Sequence, residues 1–368
     1  MKVKDEFRIA VLPGDGIGRE VTEPCLAILE TAARRAGNVA LSFETLPAGA
    51  GCYRETGTAL PRPTLEAARK ADAILLAAMG DPAVRYPDGT EIAPQLDLRF
   101  EFGLYAGVRP VQTMVGLPSV LRDPRAETLD FVLIRESTEG LFASRGRSLL
   151  VNDQVATDTM VITRRVSERL FDFAFALARG RKTKGRPGRV TCVDKANVFG
   201  SFAFFRKVFD ERAARHPDLG AEHAYVDATA LNMVRRPWDL DVLVTENMFG
   251  DILSDLGAGL MGGMGFAPSA DIGDEHAVFQ PCHGSAPDIA GQDKANPIAM
   301  FLSGAMMLEW LGDKHAVAAS RSAASLVRRA VDRVLARGTR PMEVGGDAGT
   351  AAIARAVARE LDTLDPVA

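Results

Sequence analysis

Short apolar segments alternate with longer amphipathic segments in the amino-terminal part of the chain, and this alternation constrains the fold more than any other feature. Strands and helices are predicted in turn at residues 8–12, 20–36, 40–45, 63–70 and 73–78. Consecutive parallel strands need a crossover connection, which a helix usually supplies. The pattern therefore indicates an α/β chain with a largely parallel sheet covered by helices.

A second group of elements follows from about residue 108. Strands are predicted at 131–135, 189–193 and 242–245, and helices at 163–179, 298–311 and 318–336. The sequence has no internal repeats and no low-complexity segment. A chain of 368 residues can bury a large core and suggests roughly two domains.

Composition and charge argue against several classes of partner. Charged residues make up 25% of the chain and the formal net charge is only -4, so we expect neither nucleic acid nor a membrane surface as a partner. The basic run at 179–189 is interpreted as a solvated loop.

Residues 1–6 contain no apolar signal segment, and the apolar run at 73–79 is too short to span a bilayer. Four cysteines without paired spacing suggest reduced thiols, and we expect a cytoplasmic protein.

Two aspartates four residues apart, Asp251 and Asp255, follow the predicted strand at 242–245. We expect the chain to turn at Gly250 and then to begin a helix. On a helix this spacing places both carboxylates on one face. Hard cations such as Mg²⁺ or Mn²⁺ prefer oxygen ligands of this kind. The alternative is that Asp251 complements the helix dipole and that Asp255 is a solvated surface residue.

Other segments occur with this aspartate motif in a specific order. They are residues 9–20, the strand and turn at 189–197, and a glycine- and proline-rich loop at 283–297. Together these segments resemble the β-decarboxylating dehydrogenases, the family of isocitrate, 3-isopropylmalate, homoisocitrate and tartrate or D-malate dehydrogenases. The resemblance runs from about Ile9 to Thr350 and so covers nearly the whole chain.

The resemblance implies an isopropylmalate dehydrogenase-like two-domain fold with a large mixed, mostly parallel sheet. An outer cofactor-binding domain would comprise residues 1–105 and 262–368, and an inserted domain, residues 106–261, would carry the dimer interface. The active site would lie in the cleft between them. The turn at 14–18 does not imply a Rossmann fold, because its glycines do not fit the G-x-G-x-x-G spacing.

The resemblance also implies oxidative decarboxylation of a (2R)-hydroxy acid with a malate core, dependent on NAD and on Mg²⁺ or Mn²⁺. Asp251 and Asp255 match two metal ligands of the family, and Asp227 matches a third that the partner subunit contributes. Lys195 matches the catalytic lysine, which likewise reaches into the neighbouring site. A homodimer with shared active sites is therefore implied.

The implied substrate is a small hydroxy-dicarboxylate. Arg99, Arg109 and Arg135 match the family's substrate arginines, and guanidinium groups suit bidentate recognition of carboxylates. Gln95 and Leu96 cover positions that distinguish the C3 substituent. Leu96 suggests an apolar contact and Gln95 offers a hydrogen bond, so a 3-isopropylmalate-like substrate is favoured while tartrate, D-malate, homoisocitrate and isocitrate stay open.

The glycine-rich loop matches the family's cofactor-binding segment. The implied cofactor contacts are Ile17, His283, Gly284, Ser285, Ala286, Asp288 and Asn296. His283 and Asn296 would lie at the adenine and Asp288 at the adenosine ribose. A carboxylate there accepts hydrogen bonds from both ribose hydroxyls and repels a 2'-phosphate, which favours NAD over NADP.

One position departs from the family pattern. Phe142 stands where relatives usually have the tyrosine of their catalytic set, and a phenyl ring has no proton to give. Some regulatory paralogues show the same change, so a non-catalytic or partner-dependent subunit is a second hypothesis. The other implied catalytic, metal and substrate residues are present, which favours an enzyme.

Overall fold

The structure is a computed structural model that describes residues 6–37 and 39–366. Residues 1–5, part of the segment in which no signal sequence was expected, lie outside the described residues. The strands, in chain order, are β1 Glu6–Gly14, β2 Ala40–Thr45, β3 Ala73–Ala78, β4 Ala106–Gln112, β5 Asp130–Glu136, β6 Leu149–Val151, β7 Val155–Thr157, β8 Arg189–Asp194, β9 Gly220–Tyr225, β10 Val242–Thr245, β11 Pro268–Ile272 and β12 Ala277–Pro281.

Helices cover the sheet and connect most of its parallel strands. They are α1 Ile17–Gly37, α2 Ala50–Thr56, α3 Arg62–Lys70, α4 Pro94–Glu101, α5 Arg164–Thr183, α6 Gly200–Ala213, α7 Val226–Arg235, α8 Asn247–Met261, α9 Ile298–Lys314, α10 Ala318–Ala336 and α11 Thr350–Thr363. None of the helices in the described part of the chain is long and apolar enough to cross a membrane.

Ten of the described strands form one sheet, in the order β2-β1-β3-β12-β11-β4-β5-β10-β8-β9. Both outer parts of the sheet are parallel, whereas β12, β11, β4 and β5 pair antiparallel at its centre. This large mixed, mostly parallel sheet confirms the expected fold class. Strands β11 and β12 lie between β3 and β4, so a late part of the chain returns to the amino-terminal strands. The domain boundaries stay a prediction.

Burial explains why the early elements were predictable. Every residue of β3 is buried, and such a continuous apolar run is typical of a central parallel strand. Helix α1 buries an apolar stripe and has Glu20 in its first turn and two arginines in its last, as the helix dipole favours. The basic run at 179–189 is only partly a loop, because α5 continues to Thr183.

Helix α8 begins earlier than expected. The predicted turn at Gly250 is wrong, since Gly250 lies inside the helix and Asn247 is its first residue. Glu246 is the N-cap, and its carboxylate accepts hydrogen bonds from the backbone N–H groups of Met248 and Phe249. An acidic N-cap satisfies donors that the first helical turn leaves without partners. Asp251 and Asp255 therefore lie in the second and third turns.

The turn after β1 is built around the buried carboxylate of Asp15. It accepts backbone hydrogen bonds from Ala50, Gly51 and Gly80 at 2.7, 2.8 and 2.8 Å. Gly16 follows with a φ of 51°, and a Cβ there would lie 2.0 Å from the carbonyl oxygen of Ser285. The glycine-rich turn therefore anchors α2 and lets the loop after β12 approach closely.

We expect Asp15→Ala to lower the free energy of unfolding by about 3 kcal/mol, because it leaves two buried donors and one partly buried donor without an acceptor. Chemical denaturation of the variant and the parent measures the difference. Asp15→Asn, which keeps one acceptor oxygen, should give a smaller loss. An Asp15→Ala protein as stable as the parent would show that these hydrogen bonds do not hold the turn.

Candidate functional site

One cavity beside the antiparallel centre of the sheet gathers many of the predicted residues. Its volume is about 170 Å³. The predicted residues that line it are Gln95, Arg99, Arg109, Arg135, Asp251, Asp255, His283 and Gly284. Apolar groups at the end of β3 and polar side chains of β11 and β12 complete its wall. Residues predicted for substrate, cation and cofactor therefore meet in one place.

Asp271 on β11 holds two of the arginines. Its carboxylate accepts hydrogen bonds from Nε of Arg99 at 3.0 Å and from Nη2 of Arg109 at 3.2 Å. Ser137 and Gln280 also donate to it, at 3.1 and 3.0 Å. Burial opposes ionisation of this carboxyl, but the three neighbouring guanidinium groups outweigh burial and lower the pKa of Asp271 to about 2. A fixed buried anion thus holds two of the arginines that line the cavity.

Arg135, near the end of β5, is held by α8. Its Nε and Nη2 donate to Oδ1 of Asn247 at 3.0 and 2.7 Å, and its Nη1 forms an ion pair with Asp251. Burial, followed by repulsion from Arg99, lowers the pKa of Arg135 to about 10. A Cβ at Gly250 would lie 2.6 Å from Cβ of Arg135. Glycine at this position therefore allows the close approach of α8 to β5.

Asp251 and Asp255 line the cavity one helical turn apart. Burial and the charge of Asp251 raise the pKa of Asp255, as expected for neighbouring carboxylates. Asp255 makes no hydrogen bond or ion pair with the residues that the structure describes. No group of three or more acidic, histidine or cysteine side chains suited to a metal occurs within the described residues. The two carboxylates therefore offer part of an oxygen ligand set for a hard cation.

Lys195 and Asp227 form an ion pair with each other. Nζ of Lys195 donates to Oδ1 of Asp227 at 2.6 Å, and the Asp227 side chain is 68% exposed. Neither residue belongs to the described lining of the cavity. One chain thus presents two separate sets of predicted site residues.

Only one of the two predicted substrate-specificity residues lines the cavity. Gln95 lines the cavity, whereas Leu96 is not among the described lining residues. Oε1 of Gln95 is buried and has no hydrogen-bond partner among the described residues.

Phe142 lines a neighbouring cavity together with Tyr86, and its ring centroid lies 4.9 Å from the Cζ atom of Arg135. Phe142 therefore contacts Arg135, which lines the cavity of the candidate site, from the neighbouring cavity.

The loop at 283–297 lies beside the amino-terminal end of α1. The backbone N–H of Ile17 donates to the carbonyl oxygen of Ser285 at 2.8 Å. The loop is shaped by Ala286, whose φ is 37°, and Asp288 is exposed. Ile17 and Ser285 therefore lie in contact but buried, and Asp288, three residues further along the loop, is exposed.

Two other predicted cofactor residues have different surroundings. His283 lines the cavity, and burial lowers the pKa of its imidazole. Asn296 is buried, donates to Glu343 at 2.8 Å and accepts from the backbone N–H of Ile298 at 3.2 Å. Its amide already supports the start of α9, so a contact with adenine would be additional to a structural role.

Comparison with known proteins decides the family. The sequence model of isocitrate/isopropylmalate dehydrogenase matches residues 8–357. The chain belongs to this family. It is 41% identical over 357 residues to the 3-isopropylmalate/3-methylmalate dehydrogenase of Methanocaldococcus jannaschii, covering 96% of this chain and 98% of that protein. It is 40% identical over 352 residues to the homoisocitrate dehydrogenase of the same organism, covering 94% of each.

A solved structure agrees with these sequence relatives. The crystal structure of isocitrate dehydrogenase from Methylococcus capsulatus superposes with a TM-score of 0.85 at 35% identity, over 96% of this chain and 99% of that one. Membership in the isocitrate/isopropylmalate dehydrogenase family confirms the expected enzyme class: the chain is a decarboxylating dehydrogenase. The roles of individual residues stay predictions.

Sequence reasoning missed two residues that organise the site. Asp271 interrupts the buried strand β11, and a carboxylate in a fully buried strand is a signal of a charged partner nearby. Asn247 stands beside the predicted metal aspartates in the sequence, but nothing in the sequence indicates that its side chain reaches β5. Only the packing of α8 reveals that contact.

We expect Asp271→Asn to lower stability by about 3 kcal/mol at neutral pH, because it leaves buried arginine charges without their counter-charge. The folded-state pKa of Asp271 is depressed, so its stabilisation is complete above the ordinary pKa of about 4 and is lost as the pH falls towards 2. The difference in melting temperature between variant and parent should therefore narrow in acid.

Asp218→Asn is the control, since it removes an exposed ion pair with Arg179 and should cost less than about 1 kcal/mol. The assignment of Asp271 as a buried anion would be contradicted if the difference in melting temperature between Asp271→Asn and the parent were the same at neutral pH and at pH 3.

Proposed function

We propose that the chain catalyses the metal-dependent, NAD-linked oxidative decarboxylation of a (2R)-hydroxy acid with a malate core, with 3-isopropylmalate as the first candidate. The observation that carries this proposal is the convergence of Arg99, Arg109 and Arg135 on a cavity that also contains Asp251 and Asp255. Three guanidinium groups suit the carboxylates of such a substrate. Among the relatives, several are named 3-isopropylmalate dehydrogenase, including the protein of Moorella thermoacetica at 42% identity over 97% of this chain.

Asp251 and Asp255 would hold a Mg²⁺ or Mn²⁺ ion. Their oxygen donors suit a hard cation, and Asp255 has no competing partner among the described side chains. When bound, the cation supplies Lewis acidity towards the substrate oxygens and NAD accepts the hydride. The arginines would orient the carboxylates, so that only a hydroxy acid with both groups correctly spaced fits.

Lys195 and Asp227 would complete the active site of a second copy of the chain. Lys195 would take part in proton transfer at the substrate hydroxyl, and Asp227 would add the third carboxylate to the ligand set. Their absence from the described lining of their own chain's cavity supports this arrangement. Large exposed apolar side chains nearby also support a dimer interface: Val198, Phe199, Leu231, Val234 and Ile252. We further propose the division into residues 1–105 plus 262–368 and residues 106–261.

We infer that NAD binds along the loop at 283–297. The exposed carboxylate of Asp288 supports NAD over NADP, because a 2'-phosphate beside it would be repelled. The contact between Ile17 and Ser285 supports a common surface for the cofactor. All four cysteines are free, which supports a cytoplasmic location.

A polar C3 substituent is the second candidate, beside the apolar substituent of 3-isopropylmalate. The unpartnered Oε1 of Gln95 in the cavity wall is an acceptor, so it favours a substituent that donates a hydrogen bond, such as the hydroxyl of tartrate. The carboxylates of homoisocitrate and isocitrate are acceptors and would need the amide nitrogen of Gln95 instead. Leaving a buried amide oxygen without a partner costs about 1–3 kcal/mol. D-Malate, which has no C3 substituent, is the reference substrate for comparing these candidates.

Kinetics with a panel of C3-substituted D-malates tests the proposed function. We expect turnover with NAD and Mn²⁺, its loss on chelation of the metal, and at least a tenfold (about 1.4 kcal/mol) lower kcat/KM with NADP. No turnover of any panel member would favour a regulatory subunit or another substrate class. Equal efficiency with NADP would contradict only the role of Asp288.

Subunit mixing tests the shared site. Lys195→Ala and Asp251→Asn homodimers should each lose activity by about a hundredfold or more. After dissociation and reassociation, about half of the dimers are mixed and contain one intact site of two, so the mixture should recover about a quarter of the parental activity.

The control pairs Asp251→Asn with Arg135→Ala. Both residues belong to the same side of the proposed site, so their mixed dimers contain no intact site and should stay inactive. Absence of recovery with Lys195→Ala, although mixed dimers are present, would place all of these groups on one chain.

In an active protein, Phe142→Tyr tests whether phenylalanine at the family's tyrosine position slows the steps after oxidation. If a missing acid limits protonation of the C3 enolate, the variant should release CO2 faster relative to hydride transfer, by about 10²-fold or more. Single-turnover measurements of NADH and CO2 resolve the two steps. Phe100→Tyr, in the neighbouring cavity, is the control. An unchanged ratio would show that another group already supplies the proton.

A further inference from the structure

The three arginines of the cavity differ in how their charge is balanced. Arg99 and Arg109 share the buried carboxylate of Asp271. Arg135 has instead a neutral buried acceptor, the amide oxygen of Asn247, for both its Nε and its Nη2. Its ion pair with Asp251 uses Nη1 and lies at the half-exposed edge of the cavity.

The Asn247 amide is itself held in one orientation. It is fully buried, and its Nδ2 donates to the carbonyl oxygen of Glu139 at 3.1 Å and to the carboxylate of Glu136 at 3.4 Å. Because both of these neighbours are acceptors, the nitrogen must face them and the oxygen must face Arg135. The side chain therefore connects the turn after β5, the start of α8 and the guanidinium group.

Glu136 is anchored in turn. Its carboxylate accepts hydrogen bonds from the backbone N–H and the hydroxyl of Thr138, each at 2.6 Å, and from the backbone N–H of Glu139 at 2.7 Å. A carboxylate with three such donors cannot rotate without losing them. The position of the Asn247 amide is therefore set by the backbone of the turn rather than by Arg135.

We propose that Asn247 is a positioning residue that fixes the Arg135 guanidinium towards the cavity and, because it is neutral, leaves the charge of that group available to a substrate carboxylate. An aspartate in its place would keep an acceptor but would neutralise Arg135. This inference rests on the proposed function, since it concerns the same cavity and an anionic substrate.

A double-mutant cycle tests the inference. Asn247→Ala, Asn247→Asp, Arg135→Lys and the double variants are compared for KM and kcat with D-malate, NAD and Mn²⁺, and for D-malate affinity by calorimetry. We expect both Asn247 variants to raise KM and the dissociation constant on the order of tenfold with a smaller change in kcat, because a charge-assisted contact made before the reaction is weakened. In the Arg135→Lys background the same changes should have little effect.

The remaining outcomes separate the hypotheses. Gln112→Ala, which removes an exposed amide hydrogen bond, should leave both constants unchanged. If Asn247→Ala does not fold, the test relies on Asn247→Asp, because an aspartate side chain has nearly the same size as asparagine. Equal effects of the Asn247 change in both backgrounds, or a loss of thermal stability with unchanged KM, would overturn the inference alone. A parent protein that neither binds nor turns over any malate would overturn the proposed function, and this inference with it.

Discussion

The buried carboxylate of Asp271, in the antiparallel centre of the sheet, is the interaction on which the site depends. It allows Arg99 and Arg109 to be nearly inaccessible to water at the wall of one cavity. Without a counter-charge, burying two guanidinium groups from separate elements would cost several kcal/mol. Pairing of β11 with β4 and β12 places Asp271 there, so the mixed topology of the sheet is a requirement of the site.

The remaining charges are arranged around this fixed anion. One buried carboxylate cannot balance three guanidinium groups, and Arg135 is left with a neutral amide and the half-exposed Asp251. The cavity therefore combines three guanidinium groups with two carboxylates of α8, one of which, Asp251, pairs with Arg135. Such a surface suits a ligand that presents carboxylates to the arginines together with a cation to the aspartates. This is the charge pattern of a chelated hydroxy-dicarboxylate.

Sequence reasoning succeeded where one local property determines structure. Strands β3 and β10 are predicted at their observed bounds because they are short, continuous apolar runs between polar segments. Strand β11 was not predicted, since Asp271 interrupts its apolar pattern, and α8 began earlier than expected because its cap is the acidic Glu246. The contact of Asn247 with Arg135 joins residues 112 positions apart, and no local pattern encodes it.

Some of the site residues could likewise be proposed from the sequence, whereas the roles of others depend on contacts that the sequence does not show. The aspartate spacing of α8 and the arginines could be proposed from sequence, and the structure brings them into one cavity. The contributions of Lys195 and Asp227 stay a prediction, because neither side chain belongs to the described lining of the cavity. The roles of the cofactor residues stay predictions as well, although the structure places Ile17 and Ser285 in contact.

A crystal structure of the protein with Mn²⁺ and D-malate tests the central claim most directly. The account predicts that the carboxylates of D-malate contact Arg99, Arg109 and Arg135, and that Mn²⁺ lies between the substrate and the carboxylates of Asp251 and Asp255. A D-malate molecule bound outside this cavity, or Mn²⁺ coordinated without either aspartate, would contradict it.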